Sequence, residues 1–351
     1  MFQFSKWGYV FLDDFEVFQG VKMKGQHLFS KIIKNLFVIA GSFFLSILIL
    51  IIALVTVVFY GPSVTARDIL VLSCLETSAM KFVPKLYFSQ EQIKVIVASN
   101  SAANIDGSSD GDDVIIPTDD VDMDKIEVIN IFGPTYVGKL MIVTDPSRVF
   151  IGTINNFSEE TGGKQLTDIV EDNDAIAGIN GGAFEDAGGI GSGGMPSGIV
   201  IKDGKIVVDS YSDYRVLIGF DGDHKLVVGS MSPRQAIERG VVEAISFGPL
   251  LVLNGEQVKI YGTGGGLNPR TAIGQRADGA ILMLVIDGRQ PFSLGANYMD
   301  VAGVLIEHGA VNAALLDGGA STLMVYKGNI LNSTSMLTGP RRIPTAILVS
   351  K

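Results

Sequence analysis

Four side chains in the stretch 268–322 have the types and spacing to do chemistry: Arg270, Asp287, Arg289 and Asp317. Two short apolar runs, residues 280–286 and 313–316, each stop at an Asp-Gly, namely Asp287-Gly288 and Asp317-Gly318. Short runs rich in Leu, Ile and Val read as buried strands, so each carboxylate stands where the chain leaves the core. The glycines beside them permit a sharp turn or a close approach of backbone to ligand. Arg270 enters just before the first strand and Arg289 follows its Asp-Gly directly. A carboxylate pair suits glycoside cleavage, one group acting as nucleophile or base and the other as acid or electrostatic support. Arginines suit a phosphate, which they bind bidentately. Together they point to a sugar 1-phosphodiester. Its leaving group is a phosphate ester with a last pKa of about 6, so it needs little protonation. An Asp-Gly also caps turns for structural reasons alone; two of them beside two arginines favour a site.

The remaining composition narrows the chemistry. Of the three histidines, His27 precedes the long apolar run, His224 sits in a hairpin turn and His308 at a helix end. With Cys74 as the one cysteine, neither a disulfide within the chain nor a His- or Cys-based zinc site can be assembled. There is no Walker-type loop and no Gly-x-Gly-x-x-Gly opening a helix. No cofactor is expected. A net charge of −10 argues against nucleic acid as a partner.

The elements that must position these groups follow from the pattern. Residues 36–60 are almost wholly apolar and span about 37 Å as a helix, enough to cross a hydrocarbon core of about 30 Å. Lys22, Lys24, Lys31 and Lys34 precede this run, while Arg67 and Asp68 cancel just beyond it. The positive-inside rule puts residues 1–35 in the cytoplasm and the bulk of the chain outside, on a single uncleaved anchor at the cell membrane. A cleaved signal peptide is the rival reading, but its apolar region is usually about 7–15 residues. Residues 61–124 read as a stalk and linker. A short helix is expected over 69–80, broken at Phe82-Val83-Pro84, and residues 89–97 fit a helix or a strand. Eight aspartates between Asn100 and Asp124 then suggest a solvated acidic linker. Residues 125–351 form the folded domain, with short strands, tight turns and few helices. The fold class is α+β, a strand-rich sheet core preceded by one transmembrane helix. A helix is expected from Ser232 as N-cap with Pro233 in its first turn, another over 297–307, and strands over 175–179 and 215–220. The strand 175–179 runs into Asn180-Gly181-Gly182, which reads either as a hairpin turn or as a ligand-facing loop continuing through 186–196.

At these residues the chain resembles the phosphodiester glycosidase domain family. The matching pieces are Ile179-Asn180-Gly181-Gly182-Ala183-Phe184, Pro196-Ser197-Gly198-Ile199-Val200, Phe247-Gly248-Pro249, Asn268-Pro269-Arg270-Thr271, Ile286-Asp287-Gly288-Arg289 and Leu316-Asp317-Gly318-Gly319-Ala320-Ser321-Thr322. They keep the family's order across about residues 125–351. The resemblance implies hydrolysis that removes a sugar from a sugar-1-phosphate diester, in an envelope glycan or exopolysaccharide setting. It implies Asn180, Arg270, Asp287, Arg289, Asp317 and Ser321 as site residues, with Gly181, Thr271, Gly318 and Gly319 beside them as substrate-binding positions. Asp287, Asp317 and Arg270 are then the catalytic candidates. The chain departs from the family's pattern at Ala320 and Asp300, where a Gly and a Glu are common. The alternative is a non-catalytic glycan-binding or polysaccharide-assembly factor on the same fold. A further reading is a metal-dependent phosphodiesterase cutting the P–O bond. The oligomeric state is not written in these features.

Overall fold

In the computed structural model the backbone is described for residues 8–116, 122–186, 192–210, 216–335 and 339–351, and side chains from residue 31 onward. Asp119 and Asp120, the centre of the loop 186–196 and Arg215 lie outside the described residues. The chain divides into two compact units, Met1–Pro62 and Ser63–Lys351.

The first unit is one helix, α1 (Gly8–Tyr60), so the apolar run continues a helix that begins well before residue 36. Its segment Lys31–Tyr60 is long and apolar enough to cross a membrane. Large apolar side chains such as Phe37, Phe44 and Leu50 stand exposed along it, as a helix apolar on every side requires unless lipid or protein covers it.

The second unit opens with helices. The sequence places a helix over 69–80, whereas the structure has α2 (Val64–Leu75) and a single 3-10 turn over Ser78–Met80. Ser63 caps α2 by accepting from the Ala66 N–H at 3.2 Å. The expected break at Pro84 is not one, because Pro84 lies in the first turn of α3 (Phe82–Tyr87), where its missing N–H has no partner to lose. The ambiguous segment that follows is helix α4 (Gln90–Ser99), started by a capping box between Ser89 and Gln92. Residues 100–114, expected as a solvated linker, are held along the sheets. Ala103 N donates to Lys259 O at 2.8 Å and Ser109 N to Val228 O at 2.9 Å. Polar residues paired through their backbones leave no hydropathy signature, which is why composition reads this stretch as free. Cys74 is unpaired and buried, and burial pushes its thiol pKa up.

The rest is three antiparallel sheets. The first has seven strands in the order β1 (Ile126–Phe132), β2 (Val137–Val143), β13 (Ile281–Ile286), β12 (Arg270–Arg276), β14 (Ala310–Leu316), β10 (Leu250–Leu253) and β11 (Glu256–Gln257). The second runs β16 (Asn329–Ile330), β15 (Met324–Tyr326), β4 (Ala175–Asn180), β17 (Thr345–Ser350), β3 (Val149–Thr153). The third runs β6 (Lys205–Asp209), β5 (Ile199–Lys202), β9 (Val241–Phe247), β7 (Val216–Asp221), β8 (Leu226–Ser230). Their inner faces meet in one core, to which Met283, Ile179, Ile218, Ile273 and Ile347 contribute fully buried side chains. Each outer face is covered by a short helix: α7 (Tyr298–Glu307) on the first sheet, α5 (Leu166–Asp172) on the second and α6 (Pro233–Glu238) on the third. The cap expected for α6 is present, with Ser232–Gln235 as a reciprocal capping box, and α7 starts with a second such box, Asn297–Asp300. Asp300 is therefore committed to its own helix start.

Ile273 lies mid-strand in β12 with no exposed surface. Truncation there leaves a cavity among three sheets that cannot collapse together. Ile273→Ala should lower unfolding stability by about 2–5 kcal/mol, seen as a fall in the denaturant midpoint at unchanged slope.

Candidate active site

The site is built on the end of one strand and the starts of its neighbours' exits. β12 lies between β13 and β14, with Arg270 opposite Ile286 and Thr271 opposite Leu316. Continuing each ladder by one residue sets Asp287 against Pro269 and Asp317 against Arg270. Directly opposed residues project from the same face, and successive residues of one strand from opposite faces. The two aspartates therefore leave the sheet on opposite sides, although each opens an Asp-Gly corner at the same end of the sheet. The glycines of those corners serve the backbone. A Cβ on Gly288 would stand 2.5 Å from Pro269 N and one on Gly318 2.7 Å from Pro269 O. Both corners can grip Pro269 only because neither glycine has a side chain.

Asp317 faces a cavity of about 410 Å³. Asn180, at the end of β4, fixes it from behind. The Asn180 Nδ2 donates to the Asp317 carbonyl, while Oδ1 accepts from Thr271 Oγ1 at 2.8 Å and from Leu323 N at 3.1 Å. Asp317 N donates to Gly181 O at 3.1 Å. Asn180 and Thr271 are fully buried, so the structure gives them a positioning task behind the carboxylate and does not bring them to the cavity wall. Burial pushes the Asp317 carboxyl up to about 6, against the opposing pull of a Ser321 hydrogen bond and the Arg341 charge; Asp186 adds to the rise. Such a group exchanges its proton near neutral pH, as acid–base chemistry requires.

Asp287 is not brought to the cavity. Its carboxylate accepts from Asn332 Nδ2 at 3.0 Å and from Ser333 N at 3.1 Å and 3.2 Å, and its carbonyl accepts from Ser293 Oγ at 2.7 Å. Burial raises its pKa, while the Asn332 and Ser333 hydrogen bonds and Lys139 lower it. The carboxylate holds the loop after β16 against the sheet edge. The expectation that the two Asp-Gly corners meet in one pocket fails on the period-2 alternation of the strands.

The arginines do converge. Arg270 and Arg289 line the cavity with Asp317, Gly318, Gly319 and Ser321. Arg270 is almost enclosed: Nε donates to Ala296 O at 3.0 Å, Nη2 to Gly266 O at 2.8 Å, and the guanidinium stacks 4.7 Å from the Tyr298 ring centroid. Its Nη1 pairs with Glu76 at 2.8 Å. Burial alone would lower its pKa, but the Glu76 and Tyr298 interactions outweigh that and raise it. Arg289 reaches the cavity through a left-handed backbone, φ 59°, a conformation uncommon outside glycine. It donates to Asn268 Oδ1 and to the Glu76 carbonyl, and makes no ion pair among the described residues. Burial lowers its pKa, with the Arg270 charge adding to the fall and Glu76 and Asp317 opposing it. Gly319 (φ 60°) admits the guanidinium, since a Cβ there would lie 3.1 Å from Arg289 Nη2.

Sequence reasoning missed several lining residues. Arg341 pairs bidentately with Asp186 at 2.7 Å and 2.8 Å and lies 4.9 Å from the Phe184 ring centroid. Its only signal was the basic pair Arg341-Arg342 after Gly339-Pro340. Glu76 and Lys81 come from the helical segment after α1 and had no signal at all. The cavity thus carries two closed ion pairs, a carboxyl held near neutrality, and two cations, Arg289 and Lys81, without an ion-pair partner among the described residues.

Residues 173–350, half of the chain, match a family model described as phosphodiester glycosidase. The chain belongs to the phosphodiester glycosidase family. The matched residues include Asn180, Arg270, Arg289, Asp317, Ser321 and Arg341, while Glu76 and Lys81 lie outside them. Among curated proteins, the SPbeta prophage-derived uncharacterized protein YomE of Bacillus subtilis (strain 168) is 28% identical over 201 residues, covering 54% of this chain and 29% of that protein. The N-acetylglucosamine-1-phosphodiester alpha-N-acetylglucosaminidase of Mus musculus is 27% identical over 250 residues, covering 62% of this chain and 46% of that protein. The chain therefore spans less than half the length of these relatives. Among solved structures, the zebrafish N-acetylglucosamine-1-phosphodiester alpha-N-acetylglucosaminidase catalytic domain, auto-inhibited by its pro-peptide, superposes with a TM-score of 0.53 at 24% identity. The match covers 65% of this chain and 82% of that one, and at this identity it speaks to the fold.

Two measurements follow. Asn180→Ala strands three buried polar groups and should cost about 2–3 kcal/mol of stability; a variant with unchanged stability and a raised KM would make Asn180 a ligand contact instead. The raised Asp317 pKa makes its contribution to stability complete below pH about 4, the ordinary carboxylate range, and lost as pH rises through about 6. Asp317→Asn should therefore be more stable than the wild type at pH 8, with the difference vanishing towards pH 4.

Proposed function

We propose that this protein hydrolyses a glycosyl phosphodiester, releasing a free sugar and a phosphomonoester, with Asp317 as the general base or nucleophile. The observation that carries the reading is the meeting in one cavity of a carboxyl held near pH 6 with Arg289, a guanidinium free of any carboxylate among the described residues. Arg289 takes the phosphate, with Arg270 behind it as fixed positive charge and Ser321 orienting Asp317. Water attacks the anomeric carbon as Asp317 takes its proton. The bond from that carbon to the phosphate oxygen breaks, and its electron pair stays on the phosphate. Because that leaving group is stable as an anion, the guanidinium charge does the work that a protonated acid does for an alcohol leaving group.

Asp287, the other carboxylate considered, accepts from Asn332 and Ser333 and does not line this cavity, so the reading gives it no step. Family membership supports the reaction class. The apolar helix and the lysines before it support an anchored protein with its N-terminus in the cytoplasm and the second unit outside. That placement, together with the phosphodiester chemistry, supports an envelope glycan or exopolysaccharide as the substrate pool.

The test incubates the full chain in detergent with a panel of sugar-1-phosphodiesters and scores free reducing sugar. Activity should rise with pH through an apparent pKa of about 6, because the ionised carboxylate is the working form. Asp317→Asn should lose about 10²–10⁴-fold in kcat and lose that limb. Sugar phosphate as product would assign P–O cleavage instead. Binding of glycan without any turnover would leave a non-catalytic module.

A further inference from the structure

Glu76 follows the last turn of α2, in the segment between the membrane-spanning helix and the residues that match the family. It is nonetheless bound into the centre of the site. One carboxylate oxygen, Oε2, accepts from Arg270 Nη1 and from Asn268 Nδ2, both at 2.8 Å. The Glu76 backbone carbonyl accepts from Arg289 Nη2 at 3.0 Å. The packing around it is firm: Leu267 N donates to Ser73 Oγ at 2.9 Å, and a Cβ on Gly266 would stand 2.3 Å from Ser73 N. Only glycine allows α2 to lie this close.

The other oxygen, Oε1, makes no hydrogen bond among the described residues, and Glu76 lines the cavity with 28% of its side chain exposed. A carboxylate with one oxygen locked by two donors and the second left facing open space is a fixed acceptor. The groups available to it in a glycosyl phosphodiester are the sugar hydroxyls, since the phosphate is repelled by a carboxylate and drawn to Arg289. We propose that Glu76 is a sugar-binding residue, accepting from a ring hydroxyl of the glycosyl group and so setting sugar specificity from outside the family-matched part of the chain. This rests on the reading of the cavity as a glycosyl phosphodiester site and deepens it. The phosphate lies at Arg289, the anomeric carbon at Asp317, and the sugar ring reaches the α2 side.

The experiment titrates the full chain in detergent with N-acetylglucosamine, glucose and galactose, and separately with inorganic phosphate, by calorimetry. Glu76→Gln keeps the length, and its amide oxygen still accepts from Arg270, but it removes the charge. A hydrogen bond to an ionised acceptor is about twice as strong as a neutral one. The affinity of the sugar that the wild type binds should fall about tenfold in Glu76→Gln, while phosphate binds no more weakly, one negative charge having left the cavity. Glu76→Asp retains the charge but withdraws it by one methylene, and should show the same selective loss of sugar. Thermal midpoints report whether each variant is folded. Equal sugar affinity in the wild type and both variants overturns the proposal, as does a wild type that binds none of the three sugars. Tighter phosphate with unchanged sugar makes Glu76 only the counter-ion of Arg270 and also overturns it. A wild type that binds sugar but turns over no phosphodiester defeats the catalytic reading and leaves the Glu76 comparison standing.

Discussion

The ladder register of β12 between β13 and β14 governs the rest of the site. A strand offers alternate residues to opposite faces, so one residue of offset decides which acid meets solvent-accessible space and which is sealed away. Here the offset sends Asp317 to the face of Arg270 and Asp287 to the other. The clamp of Asn180 on the Asp317 carbonyl then links the second sheet to the first at this point, since Asn180 belongs to β4 and Thr271 to β12. A shift of either sheet moves the carboxyl.

Electrostatics explains why such a crowded group of charges is stable. A buried charge is tolerated when it is paired and hydrogen-bonded. Arg270 has a carboxylate, two carbonyls and an aromatic face; Arg341 has a bidentate carboxylate. Asp317 relieves its burial by taking up a proton more readily. Arg289 and Lys81 are left with positive charge and no ion-pair partner among the described residues, and of the two Arg289 is the one held in place by hydrogen bonds to Asn268 and Glu76, which makes it the place where an anion gains most. Stability and reactivity are thus divided among residues of the same type in one cavity.

Parts of this were legible in advance. The apolar run of α1, the capping box of α6, the helix α7 and the short strands ending at Asp-Gly all arise from local chemistry written in neighbouring residues. Arg270, Arg289, Asp317 and Ser321 were marked as site residues and do share a cavity. Asn180 and Thr271 were marked as well, but they act from behind it. Pro84 was read as a break because proline ends helices in their interior, and it sits instead where a first turn accepts it. The acidic stretch was read from composition, which is blind to backbone pairing.

The sequence by itself determined which residue types were available, where the core strands and the helix capped by Ser232 lie, and that phosphate and sugar chemistry suited them; these depend on side chains within a few positions of one another. Only the tertiary structure decided that Asp287 bonds Asn332 and Ser333 and does not line the cavity, that Arg341 and Asp186 close one side of it, and that Glu76 reaches Arg270 across almost two hundred residues of chain. Those outcomes depend on strand register and on packing between distant segments. Neither leaves a local pattern, because any polar residue at an exposed position reads the same until the fold gives it a partner.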